Sequence, residues 1–334
     1  MARNSGKTLR CLLLTAAVMA VGPLDARPFR LLYWNFQNGM WDGQADDYRR
    51  FVTWVKGHDP DVCVWCEGET LYETGSDTPL KADDSRKFLP KNLKTLAARY
   101  GHAYAAVACH RDGYPQLVTS KWPLTLVKGI AGRGPNRYVV HGAGWLRLDV
   151  AGRPLNVVTL HTWPMRWDAN VGREGRAASS AAGGGDRYRL AEVQEILSET
   201  VGSAAGTDGL WMMLGDFNAV SRADAEPSAA PIPSDARYLV HDWIVQKTDY
   251  VDILARLRPD AKDRVTTADG WRLDFVYVSP ALAAMAADAF VVRDGFTHPV
   301  PVPDLRGFYR PSDHLPILVD FALTPDPKGI RQTD

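Results

Sequence analysis

The chain has 334 residues, 46% of them hydrophobic and 23% charged, which is enough apolar material for one large core or two modest ones. That composition excludes a disordered chain, a collagen-like repeat and a minimal disulfide scaffold. Its 39 basic and 39 acidic side chains balance, so no whole-protein field gathers nucleic acid or an anionic membrane surface, and an anionic substrate must be held by local groups.

Residues 1–26 read as a leader, because Arg3, Lys7 and Arg10 precede an apolar run from Cys11 to Val21 that is short for a bilayer span. Cleavage after Ala20 and after Ala26 both fit a small-residue site, and the expected destination is outside the cytoplasm, secreted or periplasmic. No later run is long enough for a transmembrane anchor. Cys63, Cys66 and Cys109 remain, an odd number that argues against a complete disulfide framework. Cys63 and Cys66 stand three apart on an expected strand and so on opposite faces, which favours buried thiols over a zinc or redox pair.

The run Phe29 to Asn35 predicts a strand that ends in polar groups. Tyr48, Phe51, Val52 and Val55 recur at helical spacing and predict a helix over 46–56, stopped by Gly57 and Pro60. A strand over 61–66 and a helix over 91–100 follow, then short strands at 103–109, 116–119 and 124–128. The segments 138–150 and 154–161 flank Ala151-Gly152-Arg153 in the pattern of a hairpin. Residues 165–186 contain Ala178-Ser-Ser-Ala-Ala-Gly-Gly-Gly185 and predict a mobile loop ahead of a helix over 188–200. A strand over 210–214 ends at Gly215-Asp216, a proline-rich loop covers 226–233, a helix is expected near 250–257, and strands at 273–278 and 315–321 close the unit. No repeat or linker divides it, so the expected organisation is a leader over 1–26, one domain over 27–323 and a tail over 324–334.

Polar side chains recur at the ends of apolar strands: Asn35, Glu67, His161, Asp216 with Asn218, Asp274, and Asp313 with His314. Strand ends are where a sheet converges distant residues on one pocket. Each alone is equally a cap or turn residue.

The pieces Trp34-Asn-Phe-Gln-Asn38, Pro60-Asp-Val-Cys-Val-Trp-Cys-Glu67, Thr119-Ser-Lys-Trp-Pro123, Leu160-His-Thr-Trp-Pro164, Leu214-Gly-Asp-Phe-Asn218, Arg272-Leu-Asp-Phe-Val-Tyr-Val-Ser279 and Ser312-Asp-His-Leu-Pro316 stand in an order that resembles the endonuclease/exonuclease/phosphatase superfamily, which includes deoxyribonuclease I-like nucleases, neutral sphingomyelinases and inositol polyphosphate phosphatases. The resemblance spans about residues 29 to 322. It implies a four-layer α/β sandwich in which two mixed β-sheets pack face to face with helices outside.

It also implies a divalent-metal-dependent phosphoesterase that hydrolyses phosphodiester bonds by in-line attack of water, here exported by the leader. Asn35, Glu67 and Asp313 are then the metal ligands, their hard oxygens suiting Mg²⁺ or Mn²⁺. His161, Asp216, Asn218, Asp274 and His314 are the catalytic set, with Asp216 as base, His161 and Asp274 as an imidazole–carboxylate pair, and His314 on a phosphoryl oxygen. Arg111, Tyr114, Trp163 and Arg310, on loops beside these strands, are candidates to grip the substrate. His141 carries no assignment. Abasic-site repair members of the superfamily tend to have tyrosine where this chain has His161, which weakens the repair reading. The expected partner is a phosphate ester, with nucleic acid first and a phospholipid or sphingolipid head group or a sugar or inositol phosphate as alternatives, bound by a monomer. A non-catalytic extracellular binding module is the reading from another class, which the intact acid and histidine set disfavours.

Overall fold

The computed structural model describes residues 28–80, 92–132, 139–150, 152–201, 209–225 and 235–323. The expected leader over 1–26, the tail over 324–334 and the proline-rich stretch over 226–233 lie outside these residues. Fourteen strands are found: β1 (Phe29–Asn35), β2 (Val62–Cys66), β3 (Tyr104–Cys109), β4 (Gln116–Ser120), β5 (Leu124–Ile130), β6 (Ala143–Val150), β7 (Arg153–His161), β8 (Leu210–Asp216), β9 (Val251–Asp252), β10 (Asp274–Val278), β11 (Ala286–Val291), β12 (Val300–Pro301), β13 (Tyr309–Arg310) and β14 (Ile317–Phe321). Twelve of them form two six-stranded sheets, ordered β11-β14-β1-β2-β4-β3 and β5-β6-β7-β8-β10-β9, and β12 pairs with β13 apart from both.

The central strands read as unbroken apolar runs because both of their faces are covered. Leu31, Tyr33, Val64 and Val118 of the first sheet meet Leu148, Val157, Met212, Leu214 and Val276 of the second in one buried layer. The opposite face of the first sheet, with Leu32, Trp34, Cys63 and Trp65, packs under the helices Arg49–His58 and Leu93–Arg99. The outer face of the second, with Val158, Leu160, Met213 and Phe275, packs under the helices Gly184–Glu199 and Leu239–Lys247. This is the expected four-layer sandwich. Cys63 and Cys66 fall in different layers, and both are free and buried.

Each sheet contains one parallel pair, β1 with β2 and β7 with β8. A parallel pair delivers two carboxyl ends to one edge, where open α/β sheets bind ligands. Strands β10 and β14 run antiparallel to their neighbours β8 and β1, so the residues that lead into them come to that same edge. The topology therefore brings Asn35, Glu67, His161, Asp216, Asp274 and His314 to one end of the sandwich.

Residues 165–186, expected as a mobile loop, are built. A short 3-10 turn (Arg173–Gly175) and the helix Arg176–Ala181 lead into the long helix, which begins at Gly184. The glycines here serve close approach and not freedom, since a Cβ on Gly185 would lie 2.1 Å from the Met165 carbonyl oxygen and one on Gly184 would lie 2.1 Å from Ser179 Oγ. The expected helix near 250–257 is the short pair β9 and helix Ile253–Leu257. Strand β11 and the helix Leu239–Lys247 had no counterpart in the sequence reading.

Gly215 is the tightest position in the active edge. A Cβ there would lie 1.9 Å from the backbone oxygen of Leu160 on the neighbouring strand, an atom that a sheet cannot move aside. Gly215→Ala is therefore expected to destabilise the fold by about 3 kcal/mol, read as a lower urea midpoint with an unchanged slope.

Candidate active site

Asn35 ends β1, and its side-chain amide bridges two carboxylates: Nδ2 donates to Glu67 Oε1 at 3.3 Å and to Asp216 Oδ2 at 3.1 Å. Glu67 follows β2 in the left-handed backbone region, φ 58°, a conformation that a non-glycine residue keeps only when its surroundings enforce it. Its Oε2 accepts from the Asn38 backbone N–H at 3.1 Å. Asp216 closes β8, and its Oδ1 accepts from the Asn218 backbone N–H at 2.8 Å. Asn218 is also left-handed, φ 46°, and its Nδ2 donates to the Thr162 carbonyl at 3.0 Å.

Asp274 opens β10 and is fully buried. It accepts from the Tyr33 hydroxyl of the facing sheet at 2.7 Å, and from His314 Nδ1 at 2.7 Å. The imidazole paired with Asp274 is thus His314, and the expected pairing with His161 is corrected. The reason is register. His161 stands opposite Asp216, and Asp216 opposite Asp274, so the Asp216 strand lies between the two presumed partners. His161 and His314 instead point their Nε2 atoms at the same oxygen, Asp216 Oδ2, each at 3.7 Å.

The electrostatics follow from burying this cluster. Burial pushes the Asp216 carboxyl up to about 7, with nearby Asp274 and Glu67 acting the same way and His314 opposing. Burial and then Asp313 raise the Glu67 carboxyl, and burial raises Asp313 itself. Burial would lower His314, but Asp274, Asp313 and Asp216 outweigh it and hold this imidazole charged well above its ordinary range. Burial, His141 and His314 all lower His161, which is therefore neutral near pH 7.

Crowded carboxylates with raised pKa values fit a divalent cation, which would stabilise their ionised forms. Among the described residues, one set of three has donor atoms within 4.8 Å of one another: Asp216, Asp274 and His314. The expected ligands Glu67 and Asp313 are not members of that set. His314 pairs with Asp274 and also faces Asp216, so the carboxylate least served by positive charge is Glu67, with Asn35 bridging it to Asp216 and Asp313 close enough to raise it.

Of the four candidate substrate residues, Tyr114 is at the site, its ring 6.4 Å from that of His161 and edge-on to it. Arg111 instead donates to the carbonyls of Ala131 and Val139 at 2.9 and 3.0 Å, which ties down the chain ahead of β6. Trp163 donates its indole N–H to the Trp167 carbonyl at 2.5 Å. Arg310 turns to Asp42 at 3.3 Å.

Two supporting groups escaped the sequence reading. On the helix Gly184–Glu199, Glu192 accepts from the backbone N–H groups of Val140 at 2.7 Å and Trp163 at 2.8 Å, and burial pushes its carboxyl up to about 8. Beside it, Arg189 donates to the carbonyls of Trp163 and Met165 at 2.8 and 3.0 Å. Both tie the segment after His161 to a rigid helix. The second group is His141, whose ring stacks on that of His161 with centroids 4.3 Å apart. It sits in a turn and not at a strand end, so no sequence spacing points to it.

The chain matches the Endonuclease/Exonuclease/phosphatase family over residues 32–314, and it belongs to that family. Among solved structures it is similar to an AP endonuclease from Archaeoglobus fulgidus, with TM-score 0.54 and 16% identity over 88% of this chain and 100% of that one. It is similar also to the human Nocturnin catalytic domain with bound sulfate anion, with TM-score 0.54 and 15% identity over 89% of this chain and 94% of that one. A Bacteroides thetaiotaomicron endonuclease/exonuclease/phosphatase family protein aligns with TM-score 0.52 and 16% identity over 87% of this chain and 94% of that one. At these identities the likeness is one of fold. No curated protein matches the chain. Family and geometry together define a phosphoesterase or nuclease-like fold with an acidic and histidine cluster able to take a metal ion.

Proposed function

We propose that this protein is an exported, divalent-metal-dependent phosphoesterase that acts on phosphodiesters, nucleic acid first among them, by in-line attack of water. One observation carries the reading: the Asn35 amide spans Glu67 and Asp216, while the Asp274–His314 pair stands against the same Asp216 oxygen. Carboxylate, amide and imidazolium from both sheets thus face one point.

Mg²⁺ or Mn²⁺, when bound by Glu67 with Asn35 and Asp313 beside it, would neutralise charge on the phosphoryl oxygens. The chain's own groups do the rest. Asp216 orients the attacking water and accepts its proton. Asn218 has its amide nitrogen committed to Thr162, which leaves its amide oxygen to hold that water. His314, kept charged by Asp274, offers Nε2–H to the negative charge that develops on the phosphoryl group. Neutral His161 supplies a second hydrogen-bonding Nε2 on the same side.

Export rests on the basic start and apolar run of residues 1–26. Among the described residues no helix is long and apolar enough to cross a membrane. The purified protein is expected to turn over bis-p-nitrophenyl phosphate and plasmid DNA with Mg²⁺ or Mn²⁺, and to act more weakly on RNA, sphingomyelin and sugar phosphates. Preferred cleavage of sphingomyelin or of a sugar phosphate would reassign the substrate. Failure on every ester with either ion would overturn the enzyme reading and favour a binding module.

A further inference from the structure

The two imidazoles at the Asp216 oxygen are held in different ways. His314 is fixed by a hydrogen bond to Asp274 at 2.7 Å. His161 Nδ1 is buried and has no hydrogen-bond partner among the described residues, so the one polar contact that distinguishes the two flipped orientations of its ring is the long approach of Nε2 to Asp216 Oδ2 at 3.7 Å. The ring of His141 lies on it instead, with centroids 4.3 Å apart and planes at 29°. His141 is itself anchored, since its Nδ1 bonds Asp112 Oδ2 at 2.8 Å and the Tyr114 ring closes on its edge at 5.1 Å. Its other nitrogen, Nε2, is buried and has no hydrogen-bond partner among the described residues. The ring therefore meets the active site through its face and not through a proton.

We propose that His141 is a positioning residue: anchored by Asp112, its ring face holds His161 with Nε2 turned toward Asp216. The role of His161 in turnover rests on the phosphoesterase reading above, but the orientation of its ring does not. A flat ring is what the contact requires, so phenylalanine should substitute for histidine at this position, and it would also remove a buried nitrogen that has no partner. Asp112 is partly exposed and also accepts from the Tyr114 backbone N–H at 3.0 Å, so it tolerates losing the imidazole. Asp112 thus reaches His161 through the His141 ring and, by its other oxygen, through the Tyr114 backbone.

The test uses the full chain with bis-p-nitrophenyl phosphate and Mg²⁺. His141→Ala is expected to lower kcat by about 10- to 100-fold with KM within about twofold, because a misplaced catalytic group costs turnover and not ground-state binding. His141→Phe should restore most of that loss. Asp112→Ala should lower kcat by about tenfold in the native background and by much less in the His141→Phe background, where only its bond to the Tyr114 backbone is left to lose, the signature of one residue acting through another. An unchanged kcat in His141→Ala, a change confined to KM, a phenylalanine variant no better than alanine, or an Asp112→Ala effect of equal size in both backgrounds would each overturn the proposal. If His141→Ala does not fold, the phenylalanine and Asp112 variants decide it.

Nitrogen-15 spectra of the histidine rings supply a readout without turnover. His161 should give one set of ring signals in the native protein and doubled or exchange-broadened signals in His141→Ala; identical spectra would contradict the assignment. A native protein inactive on every phosphate ester sinks the phosphoesterase reading alone and leaves this ring test standing.

Discussion

Asp216→Ala is expected to lower kcat for phosphodiester hydrolysis by about 10²- to 10⁴-fold, the range for removing a general base, while leaving the fold at least as stable as before. Both halves follow from the same burial. The Asp216 carboxyl is pushed up to about 7 by the dry surroundings and by Asp274 and Glu67, so its removal relieves crowding among acidic groups, as is common where activity is kept at the expense of stability. The same side chain is the point on which Asn35, His161 and His314 converge. Steady-state kinetics beside urea unfolding test the pair of expectations. Turnover within about threefold of the native rate would remove Asp216 from the mechanism.

His314→Ala carries the second large effect, an expected loss in kcat of about 10²- to 10³-fold, comparable with losing one preorganised donor to a developing oxyanion. This variant also leaves the buried Asp274 carboxylate with the Tyr33 hydroxyl as its remaining hydrogen-bond donor among the described residues. The site would then lose its one strongly raised imidazole. Tyr33→Phe, which removes a single bond to Asp274 and leaves the His314 pair intact, should reduce kcat much less. Equal losses in the two variants, or a His314→Ala enzyme with native kcat, would contradict the role given to His314.

The positions of the acidic and amide groups were legible because apolar strands end abruptly in polar residues, and because such ends meet at one edge in a sandwich of two mixed sheets. Their pairing was not legible. Which carboxylate holds which imidazole depends on the order β7-β8-β10 within one sheet and on β14 lying beside β1 in the other, long-range relations that leave no local periodicity. His161 and Asp274 were paired by role, and Asp216 stands between them. The built segment after His161 was misread for a different reason. Its alanines, serines and glycines have the composition of a linker, yet alanine is also the strongest helix former, and the glycines fit where neighbouring backbone leaves no room for a side chain. Arg111, a candidate on a loop to grip the substrate, has its guanidinium claimed by two backbone carbonyls. His141 was invisible because a ring that acts through its face needs no motif.

The central claim is that side chains from both sheets gather around a divalent cation, and cation-linked stability tests it most directly. Without an ion, Glu67, Asp216 and Asp313 have raised carboxyl pKa values, and His314 a raised imidazole pKa. The folded state then holds protons that the unfolded state has released, so stability falls as pH rises from the ordinary carboxylate range through about 7 and, for His314, beyond; lowered His161 acts in the opposite direction below its ordinary value. A cation bound to the ionised carboxylates stabilises only the folded state. Thermal unfolding with Mn²⁺ against chelator should therefore show a rise in Tm that is large near neutral pH, shrinks at about pH 5 as protons compete for the carboxylates, and is lost in Glu67→Gln. A Tm that ignores Mn²⁺ and Mg²⁺ at both pH values would contradict the account.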